Sequence, residues 1–303
     1  MKIGFIGRSE VIFNTIKFFL DKKIKIGFVY TCKGENYYKK NELDLKKLCK
    51  KNKIPYFCDT KINSKLKTLK KTKVQLVFSI NYKIRLTKEL LKCFKFGVFN
   101  SHLGDLPKFR GNATPNWAII KEKKNIPLCL HKMTDIIDEG PIAKKIFYKI
   151  SKKTYIEDIY NWLNIITPKE FYKLYLNIIK KKVNLKKQIG KPLIVFSRKE
   201  QDSRIDWKLN SKDIYNLVRA SSTPFQGAYT YFNKSKIRVL SCKIYKPKFD
   251  YYAIPGQVCL IKKNNPVIAS KDNMIEITKL SENYKKDLQL KKLISKSLRN
   301  RLN

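Results

Sequence analysis

Polar side chains that could perform chemistry follow an apolar run in residues 96–120. Asn100 and His102 are two positions apart, directly after Val98 and Phe99. Alternate residues of an extended strand point to the same side, so the amide and the imidazole are expected to face one site. An amide can stabilise an oxyanion, and an imidazole can move a proton near neutral pH. The pair is typical of attack on an acyl carbon, and a loop histidine that only satisfies backbone groups is the competing interpretation.

A second polar segment supplies carboxylates. The apolar run 126–133 is followed by Asp135, Asp138 and Glu139, and then by a Gly-Pro pair. A carboxylate beside an imidazole raises its basicity and fixes its tautomer. We expect Asp138 to have this role, with Asp135 and Glu139 as the alternatives.

Together these segments resemble the folate-dependent formyltransferases. The signature of that family is Asn-x-His before an L-P-x-x-R-G loop, followed by Asp in a D-x-G turn. Here the pieces are Asn100-Ser101-His102, residues 106–111 and Asp138-Glu139-Gly140. The C-terminal part, including residues 204–207 and 224–229, is similar to the second domain of methionyl-tRNA and sugar formyltransferases. The resemblance covers nearly the whole chain.

The resemblance implies transfer of a formyl group from 10-formyltetrahydrofolate to an amine. Asn100 would stabilise the oxyanion, His102 would take the proton of the amine, and Asp138 would orient and charge-balance His102. In this family, the wall of the folate pocket corresponds in position to residues 79–82 and to the backbone just before Asp138. On this basis we expect three side chains beside the pterin: Ile80, Tyr82 and Ile137.

Three acceptors compete within the resemblance. Enzymes that act on glycinamide ribonucleotide generally lack a second domain. Methionyl-tRNA suits the C-terminal domain and the basic chain, but residues 31–39 lack the basic loop that tRNA enzymes insert into the acceptor arm, and Asp105 adds a negative charge beside the site. These departures favour a nucleotide-linked amino sugar, with initiator tRNA as the alternative. Lys108 and Arg110 could bind the nucleotide's phosphates, or Arg110 could only pin its own loop.

Hydrophobic periodicity predicts two domains. Apolar strands alternating with helices predict an α/β domain with a Rossmann-like, mostly parallel sheet over residues 1–190. Short apolar runs separated by turns predict a small mainly-β, OB-like domain over residues 203–303. The strand through Val98 is predicted to end at Asn100, and residues 236–244 are predicted to form one strand. Gly4 and Gly7 lack the third glycine of a dinucleotide fingerprint, so NAD is not expected.

The net charge of +43, from 67 basic and 24 acidic residues, has two interpretations. Such a balance ordinarily indicates a nucleic-acid partner. Only nine of the basic residues are Arg, and the lysines are spread evenly through a chain rich in Asn and Ile. That pattern is typical of a genome biased toward AT-rich codons. A non-catalytic RNA-binding protein therefore remains an alternative class. A formate-releasing hydrolase is another, because it would use Asn100, His102 and Asp138 with water as the acceptor.

Cysteine usage and apolar run length exclude several other classes. The seven cysteines form no C-x-x-C pair and have no His neighbours at metal-ligand spacing. We therefore expect no metal site and expect buried, reduced thiols in a cytoplasmic protein. The longest apolar stretches fall short of the roughly 18 residues that a membrane span requires, so no membrane partner is expected. The oligomeric state stays open, and a homodimer is one expectation.

Overall fold

The computed structural model describes all 303 residues and divides the chain into two compact units. Unit 1 consists of Met1–Thr114, Asn125–Lys149 and Ile159–Phe196. Unit 2 consists of Pro115–Lys124, Ile150–Asp158 and Ser197–Asn303.

Fifteen strands and eight α-helices follow one another along the chain. The strands are β1 (Ile3–Gly7), β2 (Ile26–Thr31), β3 (Tyr56–Cys58), β4 (Leu76–Ile80), β5 (Gly97–Leu103), β6 (Arg110–Gly111), β7 (Asn125–Lys132), β8 (Ile142–Lys149), β9 (Ile194–Val195), β10 (Ala228–Phe232), β11 (Ser235–Val239), β12 (Ser241–Tyr245), β13 (Val258–Lys262), β14 (Asn265–Ala269) and β15 (Met274–Lys279). The helices are α1 (Glu10–Asp21), α2 (Glu42–Lys51), α3 (Leu66–Lys71), α4 (Lys88–Lys92), α5 (Thr114–Ile120), α6 (Ile156–Ile179), α7 (Ser211–Ser221) and α8 (Tyr284–Ile294).

A seven-stranded sheet with the order β3-β2-β1-β4-β5-β7-β8 forms the centre of unit 1. The first five strands are parallel, β7 runs antiparallel to β5, and β8 runs antiparallel to β7 and so in the direction of the first five. Every residue of β1, β2 and β4 is buried, which explains their nearly unbroken apolar sequence. The chain proceeds from β1 outward to β3 and then returns to place β4 on the other side of β1. Ligand crevices in such sheets form at the carboxyl ends of the strands near this reversal.

The helices of unit 1 follow from local sequence signals. In α1, Val11, Ile12, Ile16 and Phe19 are buried, which matches helical spacing of apolar residues. Helix α2 begins with a capping box, in which the Asn41 side chain accepts hydrogen bonds from backbone N–H groups and the Asp44 carboxylate accepts one from the backbone N–H of Asn41. Apolar spacing and N-terminal capping therefore explain where these two helices form.

The predicted mostly parallel sheet and the smaller mainly-β part are both confirmed, but the predicted end of the strand at Asn100 is wrong. Strand β5 continues to Leu103 because β7 lies antiparallel beside it and supplies backbone partners as far as Leu128. The turn-forming residues Gly104 and Pro107 come only after Leu103. His102 is therefore held within a strand.

Unit 2 contains a four-stranded antiparallel sheet, ordered β12-β15-β14-β13, and a hairpin of β10 and β11. Its core includes Trp207, Val218, Val239 and Ile275. The single strand predicted over residues 236–244 is wrong, because the chain changes pairing at Leu240: β11 pairs with β10, whereas β12 pairs with β15.

A buried guanidinium organises part of unit 2. Arg219 of α7 is 4% exposed and donates hydrogen bonds to the carbonyl oxygens of Ser151 and Thr154 at 3.2 and 2.6 Å. It also donates to Oδ1 of Asn216 at 2.7 Å and lies 5.0 Å from the centre of the Tyr215 ring. Arg219 therefore ties the turn before α6 to α7 by charge-assisted hydrogen bonds.

Replacing Arg219 by Leu is expected to lower the free energy of unfolding by about 3 kcal/mol, because buried oxygen atoms lose their donors. Urea denaturation followed by circular dichroism measures this change. The matched control is Lys212→Ala in the same helix, since Lys212 forms only an exposed ion pair with Glu122 and should cost less than about 1 kcal/mol. Equal stabilities of the two variants would contradict a structural role for the Arg219 network.

The remaining broad expectations concern thiols and membranes. All seven cysteines are free; Cys32, Cys49, Cys129 and Cys242 are buried, whereas Cys58 is exposed, so the expectation of buried thiols is wrong for Cys58. No helix combines the length and the apolar character needed to cross a bilayer. No group of three or more His, Cys, Asp and Glu side chains is arranged to hold a metal ion.

Candidate active site

Two neighbouring strands position the polar side chains of the site. Asn100 in β5 lies between Ser79 of β4 and His131 of β7, and His102 lies opposite Cys129 of β7. Because alternate residues of a strand share a side, Asn100 and His102 face the same side of the sheet. Asp138 belongs to the loop between β7 and β8, and its carboxylate reaches the same place.

The predicted amide, imidazole and carboxylate meet around a second imidazole. Nδ1 of His102 lies 3.4 Å from Oδ2 of Asp138, and Nε2 of His131 lies 3.5 Å from Oδ1 of Asp138. The Asn100 amide nitrogen lies 3.3 Å from Nε2 of His131. The backbone N–H of Gly111 donates to Oδ2 of Asp138 at 2.9 Å. The structure thus brings Asn100, His102 and Asp138 into one polar cluster.

His131 is a member of this cluster that the sequence analysis did not select. It is 1% exposed, and its Nδ1 lies 3.4 Å from the carbonyl oxygen of Lys132. Nε2 on the other side of the ring lies beside both the Asn100 amide nitrogen at 3.3 Å and Oδ1 of Asp138 at 3.5 Å. A histidine at the end of an apolar strand suggests packing, and only the register between β5 and β7 shows that it faces Asn100. The signal available in the sequence was the rarity of histidine, because the chain has two histidines and the other is His102.

His102 has an oxygen atom at each ring nitrogen. Nε2 lies 2.7 Å from the carbonyl oxygen of Phe109, so the hydrogen of the neutral ring is on Nε2 and Nδ1 carries the lone pair beside Asp138. Burial lowers the pKa of His102; the carboxylate of Asp138 and the carbonyl of Phe109 oppose this shift, while His131 adds to it. The ring is therefore neutral at pH 7, and a proton taken up at Nδ1 meets a carboxylate.

Asp138 is ionised throughout the neutral range. Burial would raise the pKa of its carboxyl group, but His102, His131 and the N–H of Gly111 outweigh burial and lower the pKa to about 2. The hydrogen bond from the N–H of Gly111 favours the charged carboxylate, and so does the positive charge that an imidazole acquires when it is protonated. The arrangement can therefore accept a proton on His102 and balance the resulting charge.

The residues predicted to adjoin the pterin have different environments. Ile80 is buried at the end of β4, and Tyr82 donates from its hydroxyl group to the carbonyl oxygen of Asp59 at 3.1 Å. Ile137 precedes Asp138 and is 59% exposed, and Ile136 beside it is 53% exposed. The structure therefore places Ile137 in the site loop and packs Tyr82 against the core of unit 1.

The two residues predicted to bind phosphates also differ. The side chain of Lys108 is exposed. Arg110 donates from Nε and Nη2 to Oε1 of Gln188 at 3.3 and 2.9 Å, so its guanidinium contacts a side chain from a distant segment rather than its own loop. Asp105, expected to add negative charge, accepts a hydrogen bond from Lys145 at 2.7 Å, so its charge is balanced.

A further arginine lies at the carboxyl end of β1. Arg8 donates to Oε1 of Glu35 at 2.6 Å and to the carbonyl oxygen of Asn81 at 3.2 Å. Its guanidinium lies 5.7 Å from the centre of the Tyr38 ring. The segment after β2, which the sequence analysis found to lack a basic loop, therefore supplies a carboxylate that neutralises Arg8.

Comparison with known proteins identifies the family of the chain. Residues 25–173 match the formyl transferase family, and residues 198–298 match the formyl transferase C-terminal domain. The chain is 33% identical over 243 residues to the bifunctional polymyxin resistance protein ArnA of Wigglesworthia glossinidia brevipalpis, covering 79% of this chain and 36% of that protein. It is 24% identical to the methionyl-tRNA formyltransferase of Malacoplasma penetrans, covering 97% of this chain and 93% of that enzyme.

A solved structure shares the fold. The N-formyltransferase from Helicobacter canadensis, in complex with folinic acid and dTDP-3-aminofucose, superposes with a TM-score of 0.70 at 18% identity, covering 91% of this chain and 98% of that one. The two family matches together cover most of the chain. The chain belongs to the formyl transferase family. It spans about a third of the length of the ArnA relative and most of the length of the tRNA enzyme.

Proposed function

We propose that this protein transfers the formyl group of 10-formyltetrahydrofolate to the amino group of a nucleotide-linked amino sugar. The observation that carries the proposal is the cluster of Asn100, His102 and Asp138, in which Asp138 contacts His102 directly and Asn100 through His131, over distances of 3.3 to 3.5 Å. A polar donor, a neutral base and an ionised carboxylate are the groups that acyl transfer to an amine requires.

Each side chain has a defined task in this reaction. The nitrogen of the acceptor forms a bond to the formyl carbon, and the bond from that carbon to N10 of the folate breaks. The second N–H of Asn100, which His131 leaves available, stabilises the negative charge that develops on the formyl oxygen. His102 takes the proton of the amine at Nδ1 and returns a proton to the departing nitrogen. Asp138 stabilises the imidazolium.

The surroundings of Asp138 suit a folate donor. Ile136 and Ile137, immediately before the carboxylate, are exposed apolar side chains. Covering them with an apolar part of a ligand would be favourable, because it removes apolar surface from water. A flat pterin ring would bury such surface, and the donor would supply the activated formyl group. The relative from Helicobacter canadensis was solved with folinic acid, which supports the same assignment here.

The acceptor is assigned from charge near the carboxyl edge of the sheet. The ion pair with Glu35 neutralises Arg8 beside the segment after β2, so this guanidinium offers no free positive charge to a polyanionic acceptor arm. Lys108 remains exposed near the site loop and can meet a diphosphate. The dTDP-3-aminofucose bound to the Helicobacter canadensis relative is of the proposed class.

Methionyl-tRNA is the second candidate acceptor. The matches to methionyl-tRNA formyltransferases extend over nearly the full length of one such enzyme, and the net charge of +43 would attract a polyanion. A proton transfer and an oxyanion donor serve either acceptor equally, so the catalytic cluster does not distinguish them.

Incubation of the purified protein with 10-formyltetrahydrofolate and separate acceptors tests the proposal. We expect formylation of dTDP- or UDP-linked amino sugars, with kcat/KM at least about 100-fold above that for charged initiator tRNA. Mass spectrometry of the acceptor measures the product. The opposite preference would assign the tRNA reaction, and formate release without any acceptor would assign hydrolysis.

A further inference from the structure

An extended segment at the end of unit 1 lies against both the Asp138 loop and the loop that contains Arg110. This segment, residues 186–195, is here called the strap. Lys186 exchanges two backbone hydrogen bonds with Ile142, at 2.8 and 2.9 Å, just beyond the Asp138 loop. Farther along, β9 of the strap pairs in parallel with β6, so Arg110 and Gly111 are bound to the same segment.

Gln188 is the strap residue that links the two loops through its side chain. Its Nε2 donates to the carbonyl oxygens of Asp138 and Gly140 at 2.7 and 2.8 Å. Its Oε1 accepts from Nε and Nη2 of Arg110 at 3.3 and 2.9 Å. Because two carbonyls only accept and a guanidinium only donates, the orientation of the amide is fixed. Between Lys186 and Lys191, Gln188 is the residue that is not exposed.

The Asp138 loop needs such support. Asp138 has a φ of 52°, a left-handed conformation that costs a residue other than glycine roughly 1–2 kcal/mol. A side chain at Gly140 would overlap the carbonyl oxygen of Lys132, so the loop is also packed closely against the end of β7. A strained loop keeps its conformation only when its surroundings hold it there.

We propose that Gln188 is a positioning residue for formyl transfer, which holds the Asp138 loop against Arg110 and thereby keeps the carboxylate beside His102. The inference rests on the proposed function for its catalytic consequence, but its structural claim can be measured without any substrate. Gln188 touches no reacting atom, and its effect passes through the backbone of Asp138.

Neither methionine nor glutamate, which are similar to glutamine in size, can reproduce the hydrogen bonds of the Gln188 amide. Gln188→Met keeps the length of the side chain but removes all four hydrogen bonds. Gln188→Glu keeps an acceptor for Arg110 and directs a second oxygen at the carbonyls of Asp138 and Gly140. Both variants should release the Asp138 loop, and the second should retain the link between the strap and Arg110.

The two histidines make the effect on the site directly observable. The titratable groups that face His102 are Asp138 and His131, and the carboxylate of Asp138 opposes the fall in the pKa of His102 that burial causes. Long-range ¹H–¹⁵N NMR of the imidazole rings, recorded against pH on the whole protein, follows this group. We expect His102 to titrate at lower pH in Gln188→Met and Gln188→Glu than in the wild type. Superimposable titrations would overturn the proposal, even if the protein proved to have another activity.

Steady-state kinetics provide the catalytic readout. A misplacement of a catalytic group by about 1 Å can cost roughly 100-fold in rate, so we expect kcat to fall about 10- to 100-fold with KM for donor and acceptor nearly unchanged. Arg110→Met should cause a similar loss, and the double variant with Gln188→Met should lose little more, because both act through one link. Lys187→Gln, at the exposed neighbouring position, is the matched control. A wild-type kcat in both Gln188 variants would refute the inference, whereas inactivity of the wild type would refute the proposed function.

Discussion

Asp138→Asn should lower kcat for formyl transfer by about 10³- to 10⁴-fold while the protein stays folded. In the native site, the carboxylate faces the lone pair on Nδ1 of His102 at 3.4 Å and is ready to balance an added proton. The replacing amide carries no charge and can donate a hydrogen bond to Nδ1, which would occupy the base. The loss expected for this change is comparable to that in other carboxylate–imidazole pairs.

The pH profile of this variant supplies a second, independent readout. The carboxylate of Asp138 opposes the lowering of the pKa of His102 by burial, so its removal lowers the pKa of His102 further. The acidic limb of the pH–rate profile, measured on the residual activity, should therefore move to lower pH. Glu139→Gln, which removes an exposed carboxylate next in sequence, is the control and should leave both kcat and the limb unchanged. Equal losses in the two variants would remove Asp138 from its assigned role.

Asp138 also links stability to pH. Its pKa of about 2 lies below the ordinary value of 3.8, so the folded state holds its proton less tightly than the unfolded chain does. The stabilisation from this group is complete above about pH 4 and is lost as the pH falls toward 2.

Asn100→Ala should lower kcat by about 10²- to 10³-fold, which is the usual cost of removing one donor to an oxyanion. The amide of Asn100 is held by its contact with Nε2 of His131, so its remaining N–H is directed before substrate arrives. Such a donor acts mainly in the transition state, and KM for the acceptor should change little.

The matched control for Asn100 is its neighbour on the same strand. Ser101→Ala changes a side chain on the opposite side of β5 and should retain wild-type turnover. Thermal unfolding of both variants should agree closely with that of the wild type, because neither change opens a cavity in the core. Near-normal formyl transfer by folded Asn100→Ala would exclude the amide from the mechanism.

Local sequence patterns predicted the sheet and the chemistry because both depend on near neighbours. The unbroken apolar runs of β1 and β4 indicate buried parallel strands without any knowledge of their partners. Asn100 and His102 are separated by two positions on one strand, so their common direction follows from backbone geometry alone.

What the sequence could not show depends on residues far apart in the chain. The extension of β5 to Leu103 requires the antiparallel partner β7, and no sequence pattern near Asn100 predicts that pairing. His131 gains its place in the site from the same register. Gln188 contacts Asp138 across 50 positions and Arg110 across 78, in a lysine-bearing segment that resembles a plain connector. Tertiary pairing of this kind is invisible to local periodicity.

The central claim is that His102 and Asp138 act as one unit in formyl transfer. Its most direct test is a double-mutant cycle on the single-turnover rate constant. His102→Gln, Asp138→Asn and the double variant would be compared with the wild type under single-turnover conditions, using ¹³C-labelled formyl donor. Groups that act as a unit give strongly non-additive losses. We predict that the double variant is no more than a few-fold slower than the slower single variant. Losses that multiply, or single variants that transfer formyl at the wild-type rate, would contradict the mechanism.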